Sequence, residues 1–420
     1  MGSESREPPL TSPLRSACLF LEAFAEALLE ERLANHELLE AVRRACVKEG
    51  SPKGAQHPVD TVMELAAQLR NVGEGSAAIA LSMLGSHELL HNMLVFYIGE
   101  LMSMYRGELA ALAEQLSSTA SETASIPISV RLDPASATVM TLGMLAADLF
   151  ASASRLYSKL CRLEEDLLAL SLGGGGSFLQ ADPKRIESLK RRLSQKLDVK
   201  VAPMGPYTFS TLYLDLALSS SLLPQLLVQV AAVLLIYSEP VTRGVRFVNV
   251  NAKQMVKQML SSASRLQQLV LPLIGGLHLA SFPEGYAAVK AAVDVLLEAT
   301  EVVRSFRSLL EAAVFDRSRL ESLVELTSAE QLKTLALAEL VAAGVSFSDA
   351  LRLVELAYNR ALKSGRGFLA ALLDLIEESA ELPQAVQTAK RRLNLGALTR
   401  SSPKTVEDIL RSYMKYMELC

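Results

Sequence analysis

The residues best placed to do chemistry open one helical stretch. His87-Glu88-Leu89-Leu90-His91 sets two imidazoles one turn apart with a carboxylate between them. Positions i and i+4 share a helix face, and such a pair can ligate zinc while the Glu acts as base. A zinc site also needs a third ligand, for which His57, His278 or a carboxylate would have to serve. A five-residue pattern arises readily by chance in 420 residues. The pair therefore reads as a polar helix start, and no metal is expected. Gly173 to Gly176 form an unbroken glycine run that could cradle a phosphate. No Gly-Lys-Ser/Thr follows it and no strand pattern precedes it, so it reads as a break between helices. Nothing in these motifs asks for a cofactor.

Composition says what must position such groups. Half of the residues are apolar, only 5% are aromatic, and there is no Trp. The apolar mass is Leu, Ala, Val, Ile and Met, which favours long helices over sheets. A mean hydropathy of +0.25 excludes a disordered chain. A net charge of -4, with no basic patch interleaved with aromatics, argues against a nucleic-acid partner. The longest charge-free run, Leu216 to Ser238, could span a bilayer by length. It carries Ser219, Ser220, Ser221, Pro224, Gln225 and Gln229, so it reads as a helix buried inside a bundle, with no membrane partner. The N-terminal segment has no signal-peptide pattern. Cys18, Cys46, Cys161 and Cys420 lie far apart without a CxxC pair, and read as reduced thiols of a cytoplasmic protein.

Helical periodicity runs through most of the chain. It predicts one or two helices over Arg15 to Val47 and another from Val59 to Leu84 interrupted by Gly73 and Gly75. Longer ones follow at His87 to Leu116 and at Pro134 to Leu172, the latter opened by Asp133 and Pro134 as N-cap and N1. Pro206 to Tyr237, Asn251 to Leu273 and Tyr286 to Ala313 complete the long set. Ser117 to Arg131 reads as an extended connector, and Ser238 to Val250 and Gly275 to Gly285 as loops. Val245 to Val250 is the one run that reads as a strand. Shorter helices with turn signals at Gly344 and Gly365 end the chain. The pattern predicts an all-α protein with a long central helix bundle. It divides into an N-terminal helical domain (1–85), the central bundle (86–315) and a small C-terminal helical domain (316–420).

The order of several segments resembles the aspartase/fumarase superfamily, and argininosuccinate lyase in particular, over about Val59 to Leu410. Gly85-Ser86-His87-Glu88 opens a long helix where that family has Gly-Arg-Ser-Arg-Asn-Asp-Gln. Ile126-Pro127-Ile128-Ser129-Val130-Arg131-Leu132-Asp133, then Thr141-Leu142-Gly143, is similar to its Met-Pro-Gly-Tyr-Thr-His-Leu-Gln segment and the Thr-Leu/Phe-Gly after it. Ser171 to Gly176 with Asp182-Pro183-Lys184-Arg185 resembles Ser-Pro-Leu-Gly-Ala-Gly and Asp-Arg-Glu-Arg. Leu234 to Pro240 resembles Leu-Ile-Leu-Trp-Ser-Ser-Pro-Glu, and Gly344 to Ala350 resembles Gly-Val-Pro-Phe-Arg-Glu-Ala.

The resemblance implies an all-helical homotetramer whose active sites are each assembled from three subunits. It implies β-elimination of argininosuccinate to arginine and fumarate, using a Ser on a mobile loop, a His, and Lys and Asn to stabilise a dianion. Placed against those motifs, Ser86, His87, Glu88, Arg131 and Asn251 are the catalytic candidates. Arg243, Arg246 and Lys253 are the candidates for holding a small dicarboxylate or amino acid. The family's Gly-Ser-Ser-x-Met-Pro-x-Lys-x-Asn loop reads here Thr242-Arg243-Gly244-Val245-Arg246-Phe247-Val248-Asn249-Val250-Asn251, which keeps only Asn251. Two readings follow: a lyase with a rewritten site, or a catalytically silent protein of the same fold acting as scaffold, partner subunit or metabolite binder.

Overall fold

A computed structural model describes residues 12–47, 57–72, 84–131, 137–173, 182–203, 205–275, 282–378, 386, 390, 393–395 and 402–418. Helices dominate. In chain order they are α1 (Pro13–Glu30), α2 (His36–Val47), α3 (Pro58–Val72), α4 (Ser86–Glu122), α5 (Leu142–Leu167), α6 (Pro183–Leu197) and α7 (Pro206–Ser238). They continue with α8 (Ala252–Gly275), α9 (Phe282–Glu311), α10 (Arg317–Thr327), α11 (Ala329–Ala342), α12 (Phe347–Ser364), α13 (Phe368–Glu378) and α14 (Ser402–Met414). Short strands sit at the breaks: β1 (Pro127–Arg131) with β2 (Ala137–Thr141), β3 (Leu170–Ser171) with β4 (Val201–Ala202), and β5 (Val245–Phe247) with β6 (Ala313–Phe315). The first and last pairs are antiparallel and the middle pair is parallel.

The chain forms two compact units. One contains residues up to Glu108, Leu156–Pro224 and Ser262–Glu301; the other contains Leu109–Arg155, Gln225–Ser261 and Val302 onward. In the first unit, Phe20 and Phe24 of α1, Leu90, Met93 and Tyr105 of α4, and Phe209 and Tyr213 of α7 are buried. Pro224 lies inside α7 and has no N–H to offer the carbonyl of Ser220 one turn earlier. The Tyr105 hydroxyl donates to that carbonyl at 3.1 Å, so the proline leaves no buried acceptor orphaned. In the second unit, α10 to α13 share a core of Val324, Leu332, Leu340, Val354, Phe368 and Leu372. A second cluster joins Ile128 and Val130 of β1 to Leu234, Tyr237, Val245 and Leu320.

Several expectations need correction. The helix expected from Pro134 starts at Leu142, because Thr138, Val139 and Thr141 are β-branched and pair with β1 in register Val130↔Thr138 and Ser129↔Val139. Thr141 then caps α5, its hydroxyl accepting the Met144 N–H at 3.2 Å. Asp133 and Pro134 lie outside the described residues. The helix from His87 runs on to Glu122 instead of yielding to a connector at Ser117. Its serines are satisfied locally, Ser118 donating to Glu122 and Ser121 to the Ser117 carbonyl. The last helix of the long set begins at Phe282, inside the expected Gly275–Gly285 loop. Residues 276–281, including His278, lie outside the described residues, as do Gly73, Gly75 and Gly174 to Gly176.

The reading of reduced thiols is also overturned. Cys18 of α1 and Cys46 of α2 form a disulfide, with Cα atoms 5.8 Å apart, and Cys161 is disulfide-bonded as well. The two helices run side by side, which brings together cysteines that sequence spacing left far apart. The pairing removes the thiol argument for a reducing compartment. Among the described residues, one helix, Tyr207–Ser238, is long and apolar enough to cross a membrane, and half of its most apolar window is buried within the protein.

Candidate functional site

The histidine pair lies at the start of α4, where the chain emerges from Leu84 and Gly85. Ser86 is the first helical residue and is half-buried. Glu88 sits in the first turn, and one of its carboxylate oxygens accepts the Gly85 N–H at 3.0 Å. That is the reach-back half of a capping box, and it explains locally why the helix begins here. The other oxygen faces the Ser171 hydroxyl at 3.3 Å. The carboxylate placed by sequence as a base is thus a helix cap.

His87 is half-buried, with its ring edge-on to Phe209 at 5.3 Å. His91 is completely buried, and both ring nitrogens are engaged. Nε2 lies 2.8 Å from the Ala169 carbonyl, which can only accept, so the nitrogen carries the proton. Nδ1 then accepts the Tyr213 hydroxyl at 2.9 Å. Burial pushes the His91 pKa down to about 4, against a smaller upward pull from the Ala169 carbonyl. The imidazole is neutral and held in one tautomer. Burial likewise raises the Tyr213 phenol.

Asn92 completes the cluster with two bonds to one residue: its amide donates to the Ser171 carbonyl at 2.8 Å, and its carbonyl accepts the Ser171 N–H at 2.7 Å. These contacts fix the chain just before Gly173, which adopts φ +94°. The sequence reading missed Asn92, Ser171 and Tyr213. The available signal was a pair of polar residues, His91 and Asn92, inside an otherwise apolar stretch of α4. Among the described residues, no group of three or more His, Cys, Asp and Glu side chains is arranged to hold a metal ion.

A second place with chemical potential lies after α7, in the other unit. Ser238, Pro240, Arg243, Val245, Arg246, Phe247 and Val314 to Asp316 line an open cleft of about 880 Å³. Arg243 and Arg246 both line it and both are exposed. The β5–β6 pairing sets Arg246 opposite Val314 on one face, while Val245 opposes Phe315 on the face packed against the core. Arg243 sits at φ +49°, a left-handed conformation that the turn imposes. Its N–H donates to the Glu239 carbonyl at 2.9 Å, and the Gly244 N–H to the Tyr237 carbonyl at 2.9 Å.

This loop is fastened from outside as well. The Arg319 guanidinium donates to the carbonyls of Thr242 and Val241, both at 2.8 Å. The Asp316 N–H donates to the Gly244 carbonyl at 2.9 Å. The Asp316 carboxylate caps α10, and the Arg319 N–H and Ser318 hydroxyl hold its pKa below the usual range. Asn251 is the N-cap of α8, accepting the Gln254 N–H at 3.2 Å. Lys253 is 76% exposed, 3.6 Å from Glu239, and does not line the cleft. Arg131 ends β1, its backbone paired with Ala137, and its side chain lies outside the described part of the structure.

The structure therefore brings Arg243 and Arg246 to one cleft and Ser86, His87 and Glu88 to one helix start. It gives Asn251 and Glu88 capping roles. Arg319, which no motif marked, proves central to the loop.

Known structures decide the fold. The chain is similar to the 3-carboxy-cis,cis-muconate lactonizing enzyme from Pseudomonas putida, with TM-score 0.76 and 19% identity over 97% of this chain and 95% of that one. The likeness is one of fold: the long helices of this chain follow the all-helical fold of that enzyme. A fumarate lyase from a Mesorhizobium species shares the fold with TM-score 0.73 and 15% identity, covering 95% of each chain. The β-carboxy-cis,cis-muconate cycloisomerase from Acinetobacter calcoaceticus follows, with TM-score 0.71 and 13% identity over 97% of this chain and 96% of that one. No protein-family model matches the sequence, and no curated protein matches it. The fold is thus shared at low sequence identity.

Proposed function

We propose that the chain is a catalytically silent protein of the lyase fold, assembled as a homotetramer and binding a small dicarboxylate or amino acid at the Arg243–Arg246 cleft. The observation that carries this reading is the state of the polar groups at the start of α4. His91 is neutral, wholly buried and bonded at both nitrogens, Glu88 caps its own helix, and Asn92 is closed onto Ser171. A general base needs a free lone pair within reach of a substrate proton. Each of these groups is bonded within the fold, and both lone-pair and N–H positions of the His91 ring are taken. The loop after α7 supports the same reading. It is fastened by Arg319 and Asp316, and residues 239–251 carry two arginines but no serine or lysine.

Assembly is supported by apolar residues left at the surface of α7. Leu222 is 65% exposed and Ile236 is 61% exposed, a costly arrangement unless another chain covers them. Size-exclusion chromatography with light scattering should return four times the chain mass, and a stable monomer would overturn the assembly.

The alternative is a working argininosuccinate lyase with a rewritten site, for which the ordered motif resemblance and the two arginines speak. Purified protein should release no fumarate from argininosuccinate, followed at the ultraviolet absorbance of fumarate. Turnover that disappears on Arg243→Ala would sink the silent reading and establish the alternative.

A further inference from the structure

The second unit holds a groove unrelated to the arginine cleft. It has a volume of about 530 Å³ and runs between the C-terminal half of α4, Phe150 of α5, and the end of α14 with the turn after it. Its floor is apolar: Ala113 and Phe150 are buried, and Met414 and Met417 wall one side. Apart from Glu114, the α4 residues that line the space are small, Ala110, Ala113 and Ser117 among them at helical spacing. Two carboxylates, Glu114 and Glu418, are the charged lining groups, and both are exposed.

The neighbouring cations are turned to other work. Arg155 lies over the Tyr413 ring at 4.7 Å and bonds its hydroxyl, and Lys415 lies 5.4 Å from the Tyr416 ring centre. Tyr413 and Tyr416 stack on each other at 5.6 Å. The groove therefore joins a polarizable apolar wall of Met and Phe to an anionic rim with no lining cation among the described residues. An apolar slot with a few charged groups at its edge is the ordinary form of a small-molecule site. Its charge selects the sign of the ligand. A fatty acid or dicarboxylate would meet two like charges, whereas an alkylammonium would place its chain against Met414, Met417 and Phe150 and its head between Glu114 and Glu418.

We infer that this groove binds an organic cation with an apolar body, of the alkylamine class. It uses no residue of the arginine cleft, so it stands or falls independently of the silent-lyase reading. The test uses the full chain labelled at methionine methyl groups, with Met414→Leu and Met417→Leu assigning two of the thirteen signals. Hexylammonium should shift the Met414 and Met417 methyls saturably, while hexanoate and hexanol should bind at least tenfold more weakly. Glu114→Gln should weaken hexylammonium about fivefold, the size of one lost half-screened ion pair. Ser117→Phe, which fills the slot from an incompletely buried position, should abolish the shifts while the circular dichroism spectrum is retained. Equal binding of hexanoate or hexanol would overturn the inference, as would shifts at other methionines only or no shift at all. The comparison of the three probes needs only the unaltered groove, so it decides the matter even if a variant fails to fold.

Discussion

Acidification offers the most direct trial of the buried histidine. In the folded chain His91 titrates at about 4, against about 6.5 for an unperturbed imidazole. Above pH 6.5 the ring is neutral in both folded and unfolded chains, and it contributes no pH dependence. Between pH 6.5 and 4 the unfolded chain takes up a proton that the folded chain refuses, so stability falls as pH falls. Below 4 both forms are protonated and the loss is complete. Each pKa unit is worth about 1.4 kcal/mol, so the span amounts to about 3 kcal/mol. His91→Gln is the matched control: its amide can donate to the Ala169 carbonyl and accept from Tyr213 without titrating. Urea unfolding of both proteins, at fixed protein concentration and a series of pH values, gives the difference directly. The stability advantage of the parent over the variant should shrink by about 3 kcal/mol from pH 7 to 4. A difference that stays constant with pH would refute the closed-cluster argument, as would an imidazole NMR signal titrating near the unperturbed value.

Other outcomes follow from single contacts. A Cβ on Gly143 would lie 2.5 Å from the Ala120 carbonyl oxygen and 2.5 Å from the Ala124 Cα, so Gly143→Ala should lower stability by about 1–3 kcal/mol, read as a fall in melting temperature. Cys18→Ser opens a disulfide closing 28 residues, and chain entropy assigns that loop about 3–4 kcal/mol, measurable by denaturation of the variant under non-reducing conditions. Arg319→Ala removes the donors of two loop carbonyls, and amide exchange at Arg243 and Gly244 should quicken at least tenfold while α12 exchanges as before.

Long-range order was legible where one rule dominated. The helix expected over Pro206–Tyr237 is found at Pro206–Ser238. Gly365 ends α12 at φ +66°, as its position after the last periodic residue implied. The β1–β2 pair escaped because apolar residues at 140, 142 and 145 fit a helical period as well as a strand, and only pairing with 127–131 decides between them. The site was legible as residue types and illegible as bonding. His87-Glu88-Leu89-Leu90-His91 marked the right helix start, yet spacing could not tell that Ala169, Ser171 and Tyr213 occupy the ring and carboxylate atoms. The cysteine pairing failed for the same reason: it depends on which two helices lie side by side.

Tyr105 and Pro224 have a consequence for how this fold diverges. The proline is tolerated because a hydroxyl more than a hundred residues earlier supplies the donor it lacks. The two positions are therefore one inherited character. A descendant that loses the hydroxyl while keeping the proline strands a buried carbonyl, whereas one that loses the proline first regains a helical hydrogen bond and leaves the tyrosine free to change. The permitted order of substitution runs from Pro224 to Tyr105. Related chains should accordingly include some with the tyrosine and no proline, and few with the proline and no hydroxyl.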